Sequence, residues 1–463
     1  MRSGRQITRT VTRRSPLNTH RHGRTRHPDT HHSKFPAQRH PRRAAPIPIL
    51  RLAGARITGR LDLSGADLVK AIWFEQCYFD EPPNLADART RTVRIVQSYL
   101  PGLNALSAKI DGQLDLTKTM VKGRLRLVMA HITGELTLNG STLINSDDWT
   151  LFAGGLTVDG GVFCRRGFES QGPIRLVGAH LNGGLFLDDA RLNGVRGNAL
   201  IADNLRVEGR MVCDDLVADG ALRLPGARIN GQLSWDGATI QATEEMGLDL
   251  RRLIAEELIL TTAKPVLGIV DLGSARVSVL RDDPMTWPAD IRLDGFCYDS
   301  LAAPSGHDKR DGRRQRYPSD SASTSADTLP ASSRLAWLSL NRVGYRPQPF
   351  EQLAAFYRRI GHDDQARKVL LVKQCRRRST QNVGGKLWGY LLDWSVGYGY
   401  RPWLAAIWLI SLIAIGSITF AWRPPPPVDQ ATSPPFNSLV YTINLLLPAG
   451  QFVQPDQSRL SHF

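Results

Sequence analysis

Residues 112–138 read GQLDLTKTMVKGRLRLVMAHITGELTL, and this stretch decides the fold. Gly112, Gly123 and Gly134 recur at a constant interval of 11, and each precedes the same apolar pair: Leu114/Leu116, Leu125/Leu127 and Leu136/Leu138. A polar residue separates the members of each pair, as Arg126 does between Leu125 and Leu127. Alternation with a period of two is the signature of a strand buried on one face.

The pattern extends in both directions. Gly172, Gly183 and Gly194 keep the spacing of 11, Ala179-x-Leu181 recurs as Ala190-x-Leu192, and Ala227-x-Ile229 recurs as Ala238-x-Ile240. A longer period contains the short one, because Gly123, Gly172, Gly220 and Gly268 follow one another at intervals of 49, 48 and 48. The same shift carries Leu151, Ala153, Leu156 and Val158 onto Leu200, Ala202, Leu205 and Val207, and Cys164 onto Cys213. Strands of about three residues cannot bury a core alone, but parallel coils stacked at roughly 4.8 Å bury a continuous one. The spacing therefore predicts a mainly β protein, a parallel β-solenoid (β-helix) of 11-residue half-coils in 48-residue super-repeats, two coils to each, with small Gly and Ala at the corners. Cys164 and Cys213 then occupy equivalent small apolar sites two coils apart, roughly 10 Å, too far for a disulfide.

The solenoid is expected over residues 50–301, with a less regular stretch at 71–105 where Trp73, Cys77, Tyr78, Phe79 and Pro82-Pro83 interrupt the pattern. Leu293 to Leu301 reads as a terminal rung or cap, and the Ser-, Asp-, Arg- and Pro-rich residues 302–333 as a linker. Beyond it the period becomes 3.6. Phe350, Leu353, Ala354, Tyr357 and Ile360 share one helical face, Gly361 suits a C-terminal cap, Asp363 suits an N-cap, and Ala366, Val369 and Leu370 carry the second arm of a juxtamembrane helical hairpin at 334–386.

Trp403 to Trp422 holds no charge and is flanked by Arg401 and Arg423, the pattern of a transmembrane helix with interfacial tryptophans. Residues 358–386 carry nine Lys and Arg against Asp363 and Asp364, whereas 423–463 carry only Arg423 and Arg459 against Asp429 and Asp456. Positive charge stays inside. A single-pass protein of the cell membrane is expected, with the N-terminal solenoid cytoplasmic and residues 423–463 an extracytoplasmic tail with a short apolar segment at 436–448.

Composition narrows the chemistry. Of the 463 residues 42% are hydrophobic and 22% charged, an ordinary globular balance. The formal charge is +16, but residues 1–45 account for +11 of it, in a His-, Arg-, Thr- and Pro-rich tail read as disordered. Arg outnumbers Lys 49 to 10, which points to coding bias rather than to specific nucleic-acid recognition. Cys77, Cys164, Cys213, Cys297 and Cys375 lie far apart with no C-x-x-C pair, so neither metal ligation nor a disulfide framework is expected. No G-x-G-x-x-G opens a helix, and neither a P-loop nor G-x-S-x-G is present. The acidic pairs Asp188-Asp189, Asp214-Asp215 and Asp282-Asp283 invite an acid–base reading but are taken as solvated loop residues. Ser438 to Asn444 is faintly like a pore helix, yet a T-V-G-Y-G type filter does not follow it.

Four segments together, LAGARITGRLDL (52–63), YRPQPFEQL (345–353), GHDDQARKV (361–369) and GYGYRPW (397–403), resemble a family of actinobacterial membrane-anchored repeat proteins. The resemblance covers nearly everything after residue 48. Members often carry the label "membrane-associated oxidoreductase", with no catalytic residues attached to carry over. The family continues into a second hydrophobic segment after a Leu-Leu-Pro stretch such as 446–448, whereas a single span is expected here. The expectation is a membrane-tethered β-solenoid scaffold or protein-interaction module whose partners are the lipid bilayer and a protein on the solenoid face. No cofactor, metal or catalytic residue is expected; a membrane-associated oxidoreductase is the alternative, and a degenerate channel-like module a more distant one.

Overall fold

The computed structural model describes residues 50–303, 329–379, 402–423 and 437–446. The basic tail at 1–45, most of the 302–333 linker, residues 380–401 and most of the 423–463 tail lie outside the described residues.

Each coil of the chain passes four short strands. From Lys109–Ile110 (side A) it runs through Leu114–Asp115 (side B), Met120–Lys122 (side C) and Leu125–Arg126 (side D). It then returns to side A as His131–Ile132, which pairs in parallel with Lys109–Ile110. Sides A and B belong to a 19-stranded sheet and sides C and D to a 15-stranded one. Side B begins with Leu50 against Ile72 and ends with Leu280 against Leu301, so the protein is a parallel β-solenoid of about 11 turns. At roughly 4.8 Å per rise the stack is about 50 Å long. Strand alternation sends Leu114, Leu125 and Leu136 inward, where none exposes any surface.

The two sequence periods have separate physical origins. The short one is a half-coil, which joins one glycine corner to the opposite one. Between sides A and B, Gly112, Gly134, Gly160, Gly183, Gly209 and Gly231 stack so closely that a Cβ on Gly134 would lie 2.7 Å from the Gly112 carbonyl carbon, and one on Gly160 2.7 Å from that of Gly134. Between sides C and D, Gly123 turns at φ +139 with its Cβ position against the Pro101 carbonyl. The longer period arises at this second corner. Side D steps from Leu103 to Leu125 in one coil and by a longer segment from Leu125 to Leu151 in the next, because Gly123-Arg124 fills one corner and residues 145–150 the following one. The larger corner returns at 194–199 and 242–247, where the ladder shifts register.

The remaining two corners contain left-handed residues that are often not glycine, among them Gln76, Gln97, Lys118, Met129, Asp189, Asp215 and Arg252. This corrects the reading of 71–105 as irregular. Ile72–Glu75 pairs in register with both Leu50–Ala53 and Val93–Val96, Phe74, Cys77 and Phe79 are core residues, and Trp73 lies between the guanidiniums of Arg51 and Arg94 at 4.5 and 4.4 Å. The glycine signal vanishes there because Arg91-Thr92 stands beneath Gly112 at the corner between sides A and B, and Pro82 beneath Gly102 at the corner between sides C and D. A uniform strand of about three residues also fails. From Arg191 onward strands of 7 to 11 residues run through a corner, as in Arg191–Ile201 and Arg228–Ser234.

Helix α1 (Ala331–Ser339) begins inside the expected linker, followed by α2 (Pro347–Arg359) and α3 (Asp363–Ser379). Asp363 is the first helical residue rather than the N-cap. These helices close the C-terminal end of the stack, whose last rung would otherwise be open. The Gln348 carboxamide accepts from Gly295 N (3.0 Å) and donates to the Phe296 carbonyl (2.9 Å), while Gln352 donates to the Tyr298 carbonyl (2.6 Å). Arg334, 1% exposed, forks onto Asp282 at 2.7 and 2.8 Å, and Trp287 Nε1 donates to the same carboxylate. Two further helices, α4 (Pro402–Trp422) and α5 (Ser438–Leu446), pack together through Gly416 against Thr442 and Phe420 against Tyr441. Among the described residues no helix is long and apolar enough to cross a membrane, the side chains of 402–405 lying outside that set.

Two outcomes test this architecture. Leu125→Asp places a charge in the core and is expected to cost more than about 4 kcal/mol, whereas Val217→Asp, at an outward position 46% exposed, should cost about 1 kcal/mol or less. Equal losses in chemical denaturation would refute the inward and outward register. For the cap, Asp282→Leu or Arg334→Leu alone should cost about 3–5 kcal/mol by stranding a buried charge, and the double variant should recover much of that loss. Additive losses in the double-mutant cycle would show that the pair does not act as a unit.

Candidate functional site

Side D gathers charge where the solenoid meets its cap. The register places Arg223, Asp249, Asp271 and Arg292 at the same outward position of four successive coils. Their inward neighbours Leu222, Leu248, Val270 and Ile291 are buried, which fixes the direction of the charged side chains by strand alternation. The corner that follows adds Asp203, Arg251, Arg252 and Asp294, and the α1–α2 connection adds Asn341, Val343 and Arg346. All of these except Asp249 line a cleft of about 540 Å³.

Among its arginines one ion pair is tight and the others are loose. Arg251 forks onto Asp249 at 2.9 and 2.7 Å. Arg223 stands 3.4 Å from Asp203, Arg292 3.6 Å from Asp271 and 3.7 Å from Glu245, and Arg346 3.9 Å from Asp294. Asp203 Oδ1, Arg223 Nε and Arg292 Nε are buried without a hydrogen-bond partner in the protein. Burial, the largest influence on Asp249, raises its pKa, but the side-chain and backbone hydrogen bonds from Arg251 and the charges of Arg251 and Arg223 outweigh it. The carboxyl is held below its ordinary value, and the hydrogen bond to Asp249 raises Arg251 in turn.

The acidic pairs divide rather than converge. Asp188 is buried and bound by Arg165 at 2.7 Å, Asp214 accepts from the Ser234 hydroxyl, and Asp282 holds Arg334, which corrects the reading of these three as solvated loop residues. Asp189 and Asp215 are the left-handed corner residues, and Asp283 accepts from Met285 N at the start of the short 3₁₀ turn Pro284–Thr286. Strand and corner geometry thus gives the two members of each pair different structural positions. Cys164 and Cys213 are buried, with Leu187 of the intervening coil between them in the stack. Burial pushes both thiols well above their ordinary pKa, so neither is a thiolate at neutral pH. Among the described residues no three His, Cys, Asp or Glu side chains converge as a metal site. The repeated glycines cannot cradle a nucleotide phosphate, because the Gly134 amide already donates to the Gly112 carbonyl and the next coil covers the corner. A hollow of about 20 Å³ beside Trp287 and Trp337 has room for one water.

Outward aromatics form a second surface feature. Phe163 and Phe186 stack at 4.9 Å with Arg165 and Arg210 beside Phe186, and Arg175 lies 5.6 Å from Trp149 and 5.7 Å from Phe152. Sequence reading misses the cleft because its arginines, from Arg223 through Arg252 to Arg292, belong to different coils. The available signal is the shared place of Arg223 and Arg292 after the inward residue of side D, visible only once short and long coils are aligned. No family model, curated protein or solved structure matches the chain.

Asp249, the partner of the cleft's Arg251, carries a pH signature. A carboxylate whose folded pKa is depressed contributes stability above its unfolded pKa of about 3.9, and loses that contribution as pH falls through the folded value. Asp249→Asn is therefore expected to lower stability by a constant amount above about pH 5 and by progressively less in more acid solution. A destabilisation that grows on acidification would contradict the assigned pairing.

Proposed function

We propose that this chain is a membrane-tethered scaffold whose solenoid presents its outward faces to a protein partner in the cytoplasm. The observation that carries the tether is the surface of α4. Ile407, Trp408, Leu409, Ile410, Leu412, Ile415, Ile418 and Trp422 are all more than a third exposed and lie on every side of the helix. A helix apolar all round needs an apolar surrounding. Counted from Pro402 to Trp422 its 21 residues rise about 32 Å, the thickness of a hydrocarbon core. The basic C-terminal turn of α3, with Arg376, Arg377 and Arg378, supports a cytoplasmic solenoid by the charge bias across the membrane.

The scaffold reading draws on the solenoid itself. Its interior is filled by Leu, Ile, Val and Ala side chains, which leaves the outside of the stack for recognition. The half-buried aromatics and arginines at Phe152, Arg175, Phe163 and Phe186 belong to residue types enriched at protein interfaces.

The full-length protein is expected to stay with membranes through alkaline carbonate washing, and protease added outside spheroplasts should spare the solenoid. Release by carbonate would remove the tether, and external digestion within residues 50–301 would reverse the orientation.

A further inference from the structure

We propose that the cleft on side D binds a small phosphorylated polyol, of the sugar-phosphate class. Its size of about 540 Å³ falls within the range of small-molecule sites, roughly 300–1,000 Å³. Pro225 and Val343 are its only apolar side chains other than arginine stems. An apolar or aromatic ligand would strip water from the charged walls without replacing their hydrogen bonds. The ligand must be polar.

Arginine supply sets its charge. Where pairing in this protein is structural it is short, as in Arg334 to Asp282 at 2.7 Å. In the cleft the closest approaches of Arg223, Arg292 and Arg346 to a carboxylate are 3.4, 3.6 and 3.9 Å, beyond the roughly 2.7–2.9 Å of a charge-assisted hydrogen bond. Arg252, exposed at its left-handed turn, makes no ion pair among the described residues. Arg223 makes one long hydrogen bond to Asp203, all four guanidiniums hold further N–H donors that meet no carboxylate at the charge-assisted distance, and the planar fork of each matches two phosphate oxygens.

The interleaved Asp203, Asp271 and Asp294 set the rest of the specificity. Carboxylates beside the arginines repel a bare polyanion, and as acceptors they suit hydroxyl donors. A single phosphate on a hydroxylated body satisfies both sets of groups, whereas a neutral sugar leaves the arginines unengaged and inorganic phosphate leaves the carboxylates so. The inference stands independently of the membrane tether.

Calorimetric titration of the detergent-solubilised full-length chain with ribose 5-phosphate, ribose and inorganic phosphate separates these cases. Saturable binding of the sugar phosphate is expected, at least about tenfold tighter than phosphate, with none for ribose. Arg252→Gln, at an exposed turn, should leave the melting temperature unchanged and weaken binding about tenfold, as should Arg292→Gln. Glycerophosphoinositol, added as a competitor, distinguishes two sources of the same chemistry: preference for it identifies a lipid headgroup, and preference for the monoester identifies a free sugar phosphate. Absence of saturable binding by either compound, equal affinity for phosphate and sugar phosphate, or unchanged affinity in both variants would overturn the proposal.

Discussion

The structure depends on the contact between one coil's backbone and the next at the glycine corner between sides A and B. Gly112, Gly134, Gly160 and Gly183 stack there with no space for a Cβ, and Gly209 and Gly231 continue the stack with little. Parallel ladders on all four sides must rise by the same roughly 4.8 Å per turn, so a side chain where these glycines stack would pry apart the ladders beside it; Arg91-Thr92 and Glu256 make the same corner with fewer residues. Across the coils that carry these six glycines, chain length varies at a different corner. The extra residues of alternate coils lie at the corner between sides C and D, at 145–150, 194–199 and 242–247, where they bulge outward while Leu125 still pairs with Leu151 and Leu200 with Leu222.

A stack built this way has ends, and the C-terminal end is closed by α1–α3. Apolar packing of Trp337 and Phe356 on Tyr298 supplies area, and the buried fork of Arg334 on Asp282 makes the docking specific, since either charge without the other would be strongly destabilising. The cap also builds function-bearing surface. Asn341, Val343 and Arg346 lie in the α1–α2 connection and form one wall of the charged cleft, so the docked cap completes it.

Legibility followed the degree of repetition. Inward leucines such as Leu114 and Leu125, and the equivalence of Cys164 and Cys213, are readable because every coil imposes the same alternation on them. The stretch at 71–105 defeats sequence reading because Arg91-Thr92 and Pro82 stand at the two corners where glycine is the expected mark. Helix α1 escapes it because the helix is short and its cap contact, Arg334 to Asp282, joins residues 52 apart in sequence. The acidic pairs look like units in the sequence, although Asp188 and Asp189 belong to different structural positions, one bound to Arg165 and the other a left-handed corner.

By itself the sequence determined the solenoid, its inward residues and its two periods, since these follow from local alternation and from glycine at corners too tight for a side chain. Tertiary structure alone decided the cleft. Arg223, Arg251, Arg252 and Arg292 are scattered along the chain, and only the stacking of coils of unequal length brings them onto one flank. Whether an outward arginine is paired, stacked or left with free donors depends on which residue the coil above or below places within about 4 Å of it, and that neighbour is set by register rather than by adjacent sequence.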